Sequence, residues 1–128
     1  MKKRATFIII LSLAFVYSSY AQIQHFTWQG KQRDYLFSTP ANRDGSLPVL
    51  FFLHGLGETI TSCDEEFNFG QLAEDFGWAI VVPQALSQSI FGTMWNAGLI
   101  SSSIDDAGFL LALLDTLTEQ YQLDPDSV

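Results

Sequence analysis

The feature that most constrains the fold is an unbroken apolar run that ends at a histidine and a glycine. Residues 49–53 are all apolar, and they lie between Pro48 and the segment His54–Gly57. Five consecutive apolar residues cannot alternate between a buried and an exposed face. A strand at this position must therefore be covered on both sides, as happens in parallel sheets that are flanked by helices.

The loop that follows this strand contains two glycines. Gly55 and Gly57 give the backbone access to conformations that other residues avoid, so main-chain amides can turn toward a bound group. Ligands of open α/β sheets lie beyond the carboxyl ends of the strands. We therefore expect this loop to stabilise an anion.

A second continuous apolar run, residues 78–83, follows a segment with helical spacing. Apolar residues recur at roughly helical intervals from Phe67 to Phe76, and Gly77 ends the pattern, whereas residues 59–66 are polar. Strand, helix and strand form a βαβ unit, whose crossover should be right-handed.

An antiparallel strand pair is expected before this unit. Residues 23–28 and 33–38 roughly alternate between apolar and polar side chains, which predicts a β-hairpin or meander. The predicted class is therefore α/β, with an antiparallel strand pair, a parallel βαβ unit and helices on the sheet.

A strong helix is predicted from Ser103 to Tyr121. Ser102 or Ser103 would cap its first amides, and Asp105 and Asp106 would interact favourably with the helix dipole rather than act as a general acid and base. Its apolar positions step by three and four residues and predict one buried stripe, formed by Ala107, Leu110, Leu114, Leu117 and Tyr121.

Residues 1–21 have the pattern of a secretory signal peptide. Basic residues occupy positions 2–4, an apolar segment of about 12 residues follows, and Ser19 and Ala21 offer small side chains before a cut. A membrane anchor is the alternative, but a spanning helix needs about 20 apolar residues. We expect export, with Gln22 as the first residue of the mature chain.

Charge and cysteine content exclude several classes of protein. From Gln22 onward there are 3 basic and 14 acidic residues, a net charge of −11, which argues against nucleic acid as a partner. A single cysteine, Cys63, and two histidines, His25 and His54, form neither a disulfide framework nor a zinc motif. Cys63 is either buried and inert or pairs with a cysteine beyond Val128.

Five segments, in order, resemble the secreted polyhydroxybutyrate depolymerase and feruloyl esterase family of α/β-hydrolases. They are Leu53-His54-Gly55, residues 77–84, Trp95-Asn96, residues 104–110 and residues 121–128. The resemblance covers essentially all of residues 22–128. It implies that these residues are the amino-terminal part of a catalytic domain. On this resemblance, the given sequence ends just before the turn that carries the nucleophilic serine.

The resemblance implies a secreted serine esterase that cleaves extracellular polyester or feruloylated polysaccharide through an acyl-enzyme. Leu56 would supply an oxyanion-hole amide, and Gly55, Gly57, Trp95 and Asn96 would contact substrate. No Gly-x-Ser-x-Gly occurs and neither histidine fits the role of base, so nucleophile, acid and base are expected after an apolar strand beyond the given sequence. No cofactor, metal or stable membrane anchor is implied.

Two other functions stay open on the residues alone. A small exported carbohydrate-binding module could use Trp28, Trp78 and Trp95, and an α/β-hydrolase of peptidase or lipase type would share the His-Gly loop. Family members often carry another residue where Leu56 stands and an arginine at the position of Ser127, so the subfamily is also open.

Overall fold

A computed structural model of the chain describes residues 21–88, 90, 92–98 and 102–128, so the predicted signal peptide lies outside the described residues except for Ala21. These ranges contain four strands and three helices. In chain order they are β1 (Gln22–Trp28), β2 (Lys31–Ser38), β3 (Val49–Phe51), α1 (Ile60–Phe67), α2 (Phe69–Phe76), β4 (Ala79–Pro83) and α3 (Asp106–Tyr121).

The four strands form one mixed sheet in the order β1-β2-β4-β3. The pairs β1-β2 and β2-β4 are antiparallel, whereas β3 and β4 are parallel. The predicted α/β class is confirmed. Because β3 and β4 run in the same direction, the loops that follow them lie at the same end of the sheet, beyond the carboxyl ends of both strands.

The antiparallel pair β1-β2 is a tight hairpin, as predicted. Trp28 pairs with Lys31, so only Gln29 and Gly30 form the turn. Their φ angles are 48° and 74°, and positive φ at both central residues is the feature of a type I′ turn, whose twist matches that of the strands.

Apolar side chains cover both faces of the sheet. One face packs against α3, and its buried residues are Tyr35, Leu47, Val49, Ala79, Val81, Phe109, Leu113, Leu117 and Leu123. The other face packs against α1 and α2, and its buried residues are Leu36, Ile60, Cys63, Phe69, Ala73, Ile80 and Val82. Helix, sheet and helix therefore form three layers.

The central strand is β4, not β3. All five residues of β4 are buried. The expected coverage of both faces of residues 49–53 is wrong, because Leu50 and Leu53 are 37% and 47% exposed. Strand β3 is also an edge strand of the described sheet. Beyond this edge, the amide of Val49 donates to the carbonyl of Ser127 at 2.8 Å.

The region between β3 and β4 contains two helices, where the sequence predicted one. Residues 59–66, expected to precede the helix, include most of α1, because Thr59 forms a capping box with Ser62. Asn68, with a φ of 50°, ends α1, and its side chain accepts a hydrogen bond from the amide of Gln71 in α2. Gly77 ends α2 as predicted, with a φ of 68°.

Helix α3 begins three residues later than predicted, and its cap is not a serine. The carboxylate of Asp105 accepts a hydrogen bond from the amide of Gly108 at 2.9 Å. The predicted stripe is displaced by one position: Phe109, Leu113 and Leu117 are buried, whereas Leu110, Leu114 and Tyr121 are half-buried and Ala107 is exposed. The helix is oriented so that Asp106, which was expected to interact with the helix dipole, is buried.

Cys63 is a buried thiol of α1. Burial, together with the nearby carboxylate of Glu58, raises the pKa of the Cys63 thiol. A thiol that is buried and protonated reacts slowly, which agrees with the inert alternative for this residue. No helix in the described ranges is long and apolar enough to cross a membrane.

The displaced stripe of α3 can be tested with two leucines of the same helix. Leu113 is fully buried and Leu111 is 65% exposed. We expect Leu113→Ala to lower the free energy of unfolding by about 2–5 kcal/mol, because it leaves a cavity in the core. Leu111→Ala should change it by less than about 0.5 kcal/mol. Urea titration followed by circular dichroism measures both, and equal losses would contradict the described orientation of α3.

Candidate functional site

The candidate site lies where the loops after β3 and β4 meet. The His-Gly loop, residues 54–58, follows β3 and joins it to α1. Gln84 and Ala85 follow β4 directly, and the Trp95 segment, residues 92–98, lies further along the same connection. Hydrogen bonds between these parts, described below, hold the loops together.

His54 is buried, and both of its ring nitrogens form hydrogen bonds. Nδ1 lies 2.8 Å from the carbonyl oxygen of Gly55, which can only accept, so Nδ1 carries the proton. Nε2 then accepts from the amide of Ala85 at 3.0 Å and from Nε2 of Gln84 at 2.8 Å. His54 is therefore a structural residue that joins the two loops.

Gln84 extends the connection to α1. Its Oε1 accepts from the amide of Ile60 at 2.9 Å, which satisfies one of the free amides at the start of the helix. Its Nε2 donates to His54. One side chain at the end of β4 therefore positions both the His-Gly loop and α1.

The His-Gly loop forms a tight turn around Leu56 and Gly57. The amide of Glu58 donates to the carbonyl of Gly55 at 3.3 Å, and Gly57 has a φ of 76°. Positive φ at the third position is typical of a type II turn, where glycine is favoured. The backbone conformation at this position thus favours glycine. This agrees with the expectation that Gly57 adopts a conformation that other residues avoid.

Two of the three candidate amides in this turn already have acceptors. The amide of Gly55 donates to Oε2 of Glu58 at 2.6 Å, and the amide of Gly57 donates to the carbonyl of Thr93 at 2.8 Å. No residue in the described part of the chain accepts a hydrogen bond from the amide of Leu56. Leu56 is 65% exposed, so the turn leaves one main-chain donor for an external acceptor.

Trp95 and Asn96, predicted to contact substrate, form hydrogen bonds within the protein. The indole Nε1 of Trp95 donates to the carbonyl of His54 at 3.1 Å, with the two ring centroids 5.5 Å apart. The side-chain amide of Asn96 donates to the carbonyl of Ile104 at 2.7 Å. Trp95 therefore lies against the His-Gly loop, whereas Asn96 points toward the segment that leads into α3.

A buried ion pair that the sequence analysis missed supports this arrangement. Nη2 of Arg33 lies 2.8 Å from Oδ1 of Asp106, and both side chains are almost completely buried. Oδ2 of Asp106 accepts from the amide of Asn96 at 2.7 Å, and Nη2 of Arg33 donates to the carbonyl of Gln84 at 3.3 Å. The guanidinium also lies 3.9 Å from the centre of the Phe109 ring.

The missed pair had a weak signal in the sequence. Arg33 is one of only three basic residues after Gln22, and it precedes the apolar residues of β2. A buried arginine needs a carboxylate, and Asp106 lies at the start of the most apolar helix. The sequence contains 14 acidic residues, so pattern alone does not select the partner.

The second histidine, His25, lies on the exposed surface of the hairpin. Nδ1 of His25 is 2.8 Å from Oδ1 of Asp34, and the hydrogen bond lowers the pKa of Asp34. In the described ranges no three His, Cys, Asp or Glu side chains are grouped so that they could hold a metal ion. The chemistry that this site offers is a hydrogen-bond donor at Leu56.

Comparisons with known proteins give structural matches alone. No family model matches the chain, and no curated protein sequence matches it significantly. The crystal structure of native sOPH matches with a TM-score of 0.62 at 17% identity, over 89% of this chain and 44% of that chain. Native pOPH and the complex of a serine-to-alanine pOPH variant with pNPB each match at 0.62 and 16% identity, over 89% of this chain and 43% of theirs.

The chain thus spans less than half the length of the solved structures that it matches. At 16–17% identity the likeness shows the fold, an α/β architecture shared with the OPH structures. A shared fold does not by itself carry a function.

The two histidines provide a matched test of the described site. We expect His54→Phe to lower the free energy of unfolding by about 1–3 kcal/mol, because it leaves the buried amide of Ala85 without a partner and removes the bond to the carbonyl of Gly55. His25→Phe should cost less than about 1 kcal/mol, because it removes an exposed pair. Thermal or urea unfolding measures the difference, and equal losses would contradict the structural role of His54.

Proposed function

We propose that residues 22–128 are the amino-terminal part of the catalytic domain of a secreted serine esterase. The observation that carries the proposal is the free amide of Leu56, held at the carboxyl end of the parallel pair β3-β4 between two amides that already have acceptors. A preorganised donor with no internal acceptor is what an oxyanion hole requires.

In the proposed reaction a serine oxygen attacks the carbonyl carbon of an ester. The carbonyl π electrons move to the oxygen, and the resulting oxyanion accepts a hydrogen bond from the amide of Leu56. A base takes the proton of the serine hydroxyl and gives it to the departing oxygen as the carbonyl re-forms and the C–O bond to the alcohol breaks. This leaves an acyl-enzyme, which water hydrolyses to the carboxylic acid and free serine. The serine, its base and the orienting acid would lie beyond the given sequence, so this chain contributes the oxyanion donor and the loops around it.

The position of residues 123–127 at the β3 edge of the sheet supports a nucleophile near Leu56. Leu47 and Leu123 form a parallel bridge, and Val49 donates to the carbonyl of Ser127, so residues 123–127 lie along β3. A strand continuing in this direction would end beside the His-Gly loop, which is where the serine of an α/β-hydrolase lies. The likeness to the OPH structures supports the same fold.

The substrate class rests on the sequence resemblance to polyhydroxybutyrate depolymerases and feruloyl esterases. Polyester and feruloylated polysaccharide are both extracellular, which fits the predicted signal peptide. The carbohydrate-binding alternative has less support, because Trp95 bonds to His54 and Trp28 packs against the core. Trp78 is exposed, but its ring contacts Phe76 at the opposite end of β4.

The proposal predicts that the complete protein hydrolyses p-nitrophenyl acetate and that the 128-residue chain alone does not. Binding and oxyanion contacts cannot replace a missing nucleophile and base. Release of p-nitrophenol is followed for both proteins at equal concentration. A complete protein without turnover on acetate, hydroxybutyrate oligomer and feruloyl esters would overturn the esterase assignment, and hydrolysis of a peptide or a long-chain lipid alone would favour the other hydrolase types.

The role of the Leu56 amide can be separated from that of its side chain. In the complete enzyme we expect Leu56→Ala to change kcat little, because the side chain is exposed. Leu56→Pro removes the amide hydrogen and should lower kcat by about 10²-fold or more. Proline is common at the second position of a type II turn, so the loop can keep its conformation.

Ester hydrolysis by the two variants, with their circular dichroism spectra as a check of folding, provides the measurement. Equal activity of Leu56→Ala and Leu56→Pro would show that the amide has no part in the reaction.

A further inference from the structure

We propose that Trp95 and Thr93 are positioning residues, which hold the His-Gly loop so that the amide of Leu56 faces the reacting carbonyl. This inference rests on the proposed function and assigns to Trp95 a role different from substrate contact. Neither side chain needs to touch substrate. Both act through main-chain atoms of the loop, on either side of Leu56.

Thr93 bonds to the loop on the carboxyl side of Leu56. Its carbonyl accepts from the amide of Gly57 at 2.8 Å, and its hydroxyl donates to the carbonyl of Glu58 at 2.7 Å. Two bonds from one residue fix both the position and the orientation of the peptide units that follow Leu56. The close approach of the two loops is also visible at Gly92, where an added Cβ would lie 3.8 Å from Cα of Gly57.

Trp95 bonds to the loop on the amino side of Leu56. Its indole N–H donates to the carbonyl of His54 at 3.1 Å, and its ring packs against the imidazole. The imidazole in turn bonds to Gly55 and to Ala85. The peptide unit before the turn is therefore held by an aromatic residue from the neighbouring loop.

The Trp95 segment is itself anchored to the core. The residue after Trp95, Asn96, donates its amide to Asp106 at 2.7 Å, and Asp106 is paired with Arg33. A buried pair in a low-dielectric environment has few alternative geometries, since moving either charge leaves the other unpaired. Trp95 therefore connects the loop that contains Leu56, through Asn96 and Asp106, to the sheet and to α3.

Positioning of this kind matters for catalysis because an oxyanion donor acts only when its N–H points at the developing charge. The peptide unit that carries the Leu56 amide is held within the loop at the carbonyl of Gly55, which accepts from the amide of Glu58 at 3.3 Å and from Nδ1 of His54 at 2.8 Å. Trp95 packs on the same imidazole, and Thr93 bonds to the peptide units that follow Leu56. Without the contacts of Thr93 and Trp95 the Leu56 peptide unit could rotate away. The expected consequence is a lower kcat with an unchanged KM.

The first test does not depend on activity. Hydrogen exchange of the Gly57 amide is measured in the complete folded protein by NMR or by mass spectrometry with single-residue resolution. Trp95→Phe removes the indole N–H and keeps an aromatic ring, and Thr93→Val removes the hydroxyl at similar volume. We expect each to speed exchange at Gly57 by about tenfold, because opening of the loop becomes easier.

Trp78→Phe is the matched control for the first test. Trp78 is partly exposed, and its indole N–H has no acceptor in the described residues. Its replacement should leave exchange at Gly57 unchanged. If neither Trp95→Phe nor Thr93→Val changes this exchange relative to Trp78→Phe, the positioning role is overturned, whatever the esterase assay shows.

The second test is a double-mutant cycle on ester hydrolysis. Alone, Trp95→Phe should lower kcat by about tenfold at constant KM, because a small displacement of a catalytic group is costly. In the Leu56→Pro background, which has no amide hydrogen to position, the same change should have no further effect.

Other outcomes of the cycle separate the two proposals. Effects that multiply, or a raised KM with unchanged kcat, would show that Trp95 acts on substrate directly and would overturn the inference. A Leu56→Pro variant with full activity would instead overturn the oxyanion role on which the inference rests. The exchange measurement would still show whether Trp95 and Thr93 fix the loop.

Discussion

The arrangement of the loops depends on the buried ion pair between Arg33 and Asp106. Removing two charges from water is costly, and their attraction offsets that cost only when the geometry is close and the remaining polar atoms have partners. Here the carboxylate also accepts from Asn96, and the guanidinium also donates to Gln84 and lies over Phe109, whereas Nε of Arg33 has no hydrogen-bond partner among the described residues. The pair connects β2, the end of β4, the Trp95 segment and the start of α3.

The same principle of paired polar groups applies to the turn from Gly55 to Glu58, in which only the amide of Leu56 has no acceptor among the described residues. Buried polar atoms without partners are costly, so His54 uses both ring nitrogens and the amides of Gly55 and Gly57 both have acceptors. A loop held in this way does not need to reorganise when charge develops nearby. The amide of Leu56 therefore differs from its neighbours in the turn, because no described residue accepts a hydrogen bond from it, and the proposed esterase function relies on this unused donor.

Much of the fold could be predicted from local sequence, whereas the site depended on distant contacts. The continuous apolar run of β4 and the glycine after α2 are local signals, and both were interpreted correctly. Helix α1 was missed because its cap residues Thr59 and Ser62 also occur in loops. The buried face of α3 was predicted one residue away from its true position, because Asp106 is drawn into the core by an arginine 73 residues earlier.

The roles of Trp95 and Asn96 show the same limit of local reasoning. Both stand in a long connection at the carboxyl end of a parallel strand, which is a position where substrate contacts are common. Their hydrogen bonds to His54 and Ile104 depend on how that connection folds back on the neighbouring loop and on α3. A residue beside the His-Gly loop can thus hold the main chain of that loop without contacting a ligand. In this protein a tryptophan supplies both an aromatic ring that packs on His54 and an N–H that bonds to its carbonyl. Phenylalanine has the ring but no side-chain donor, and leucine has neither.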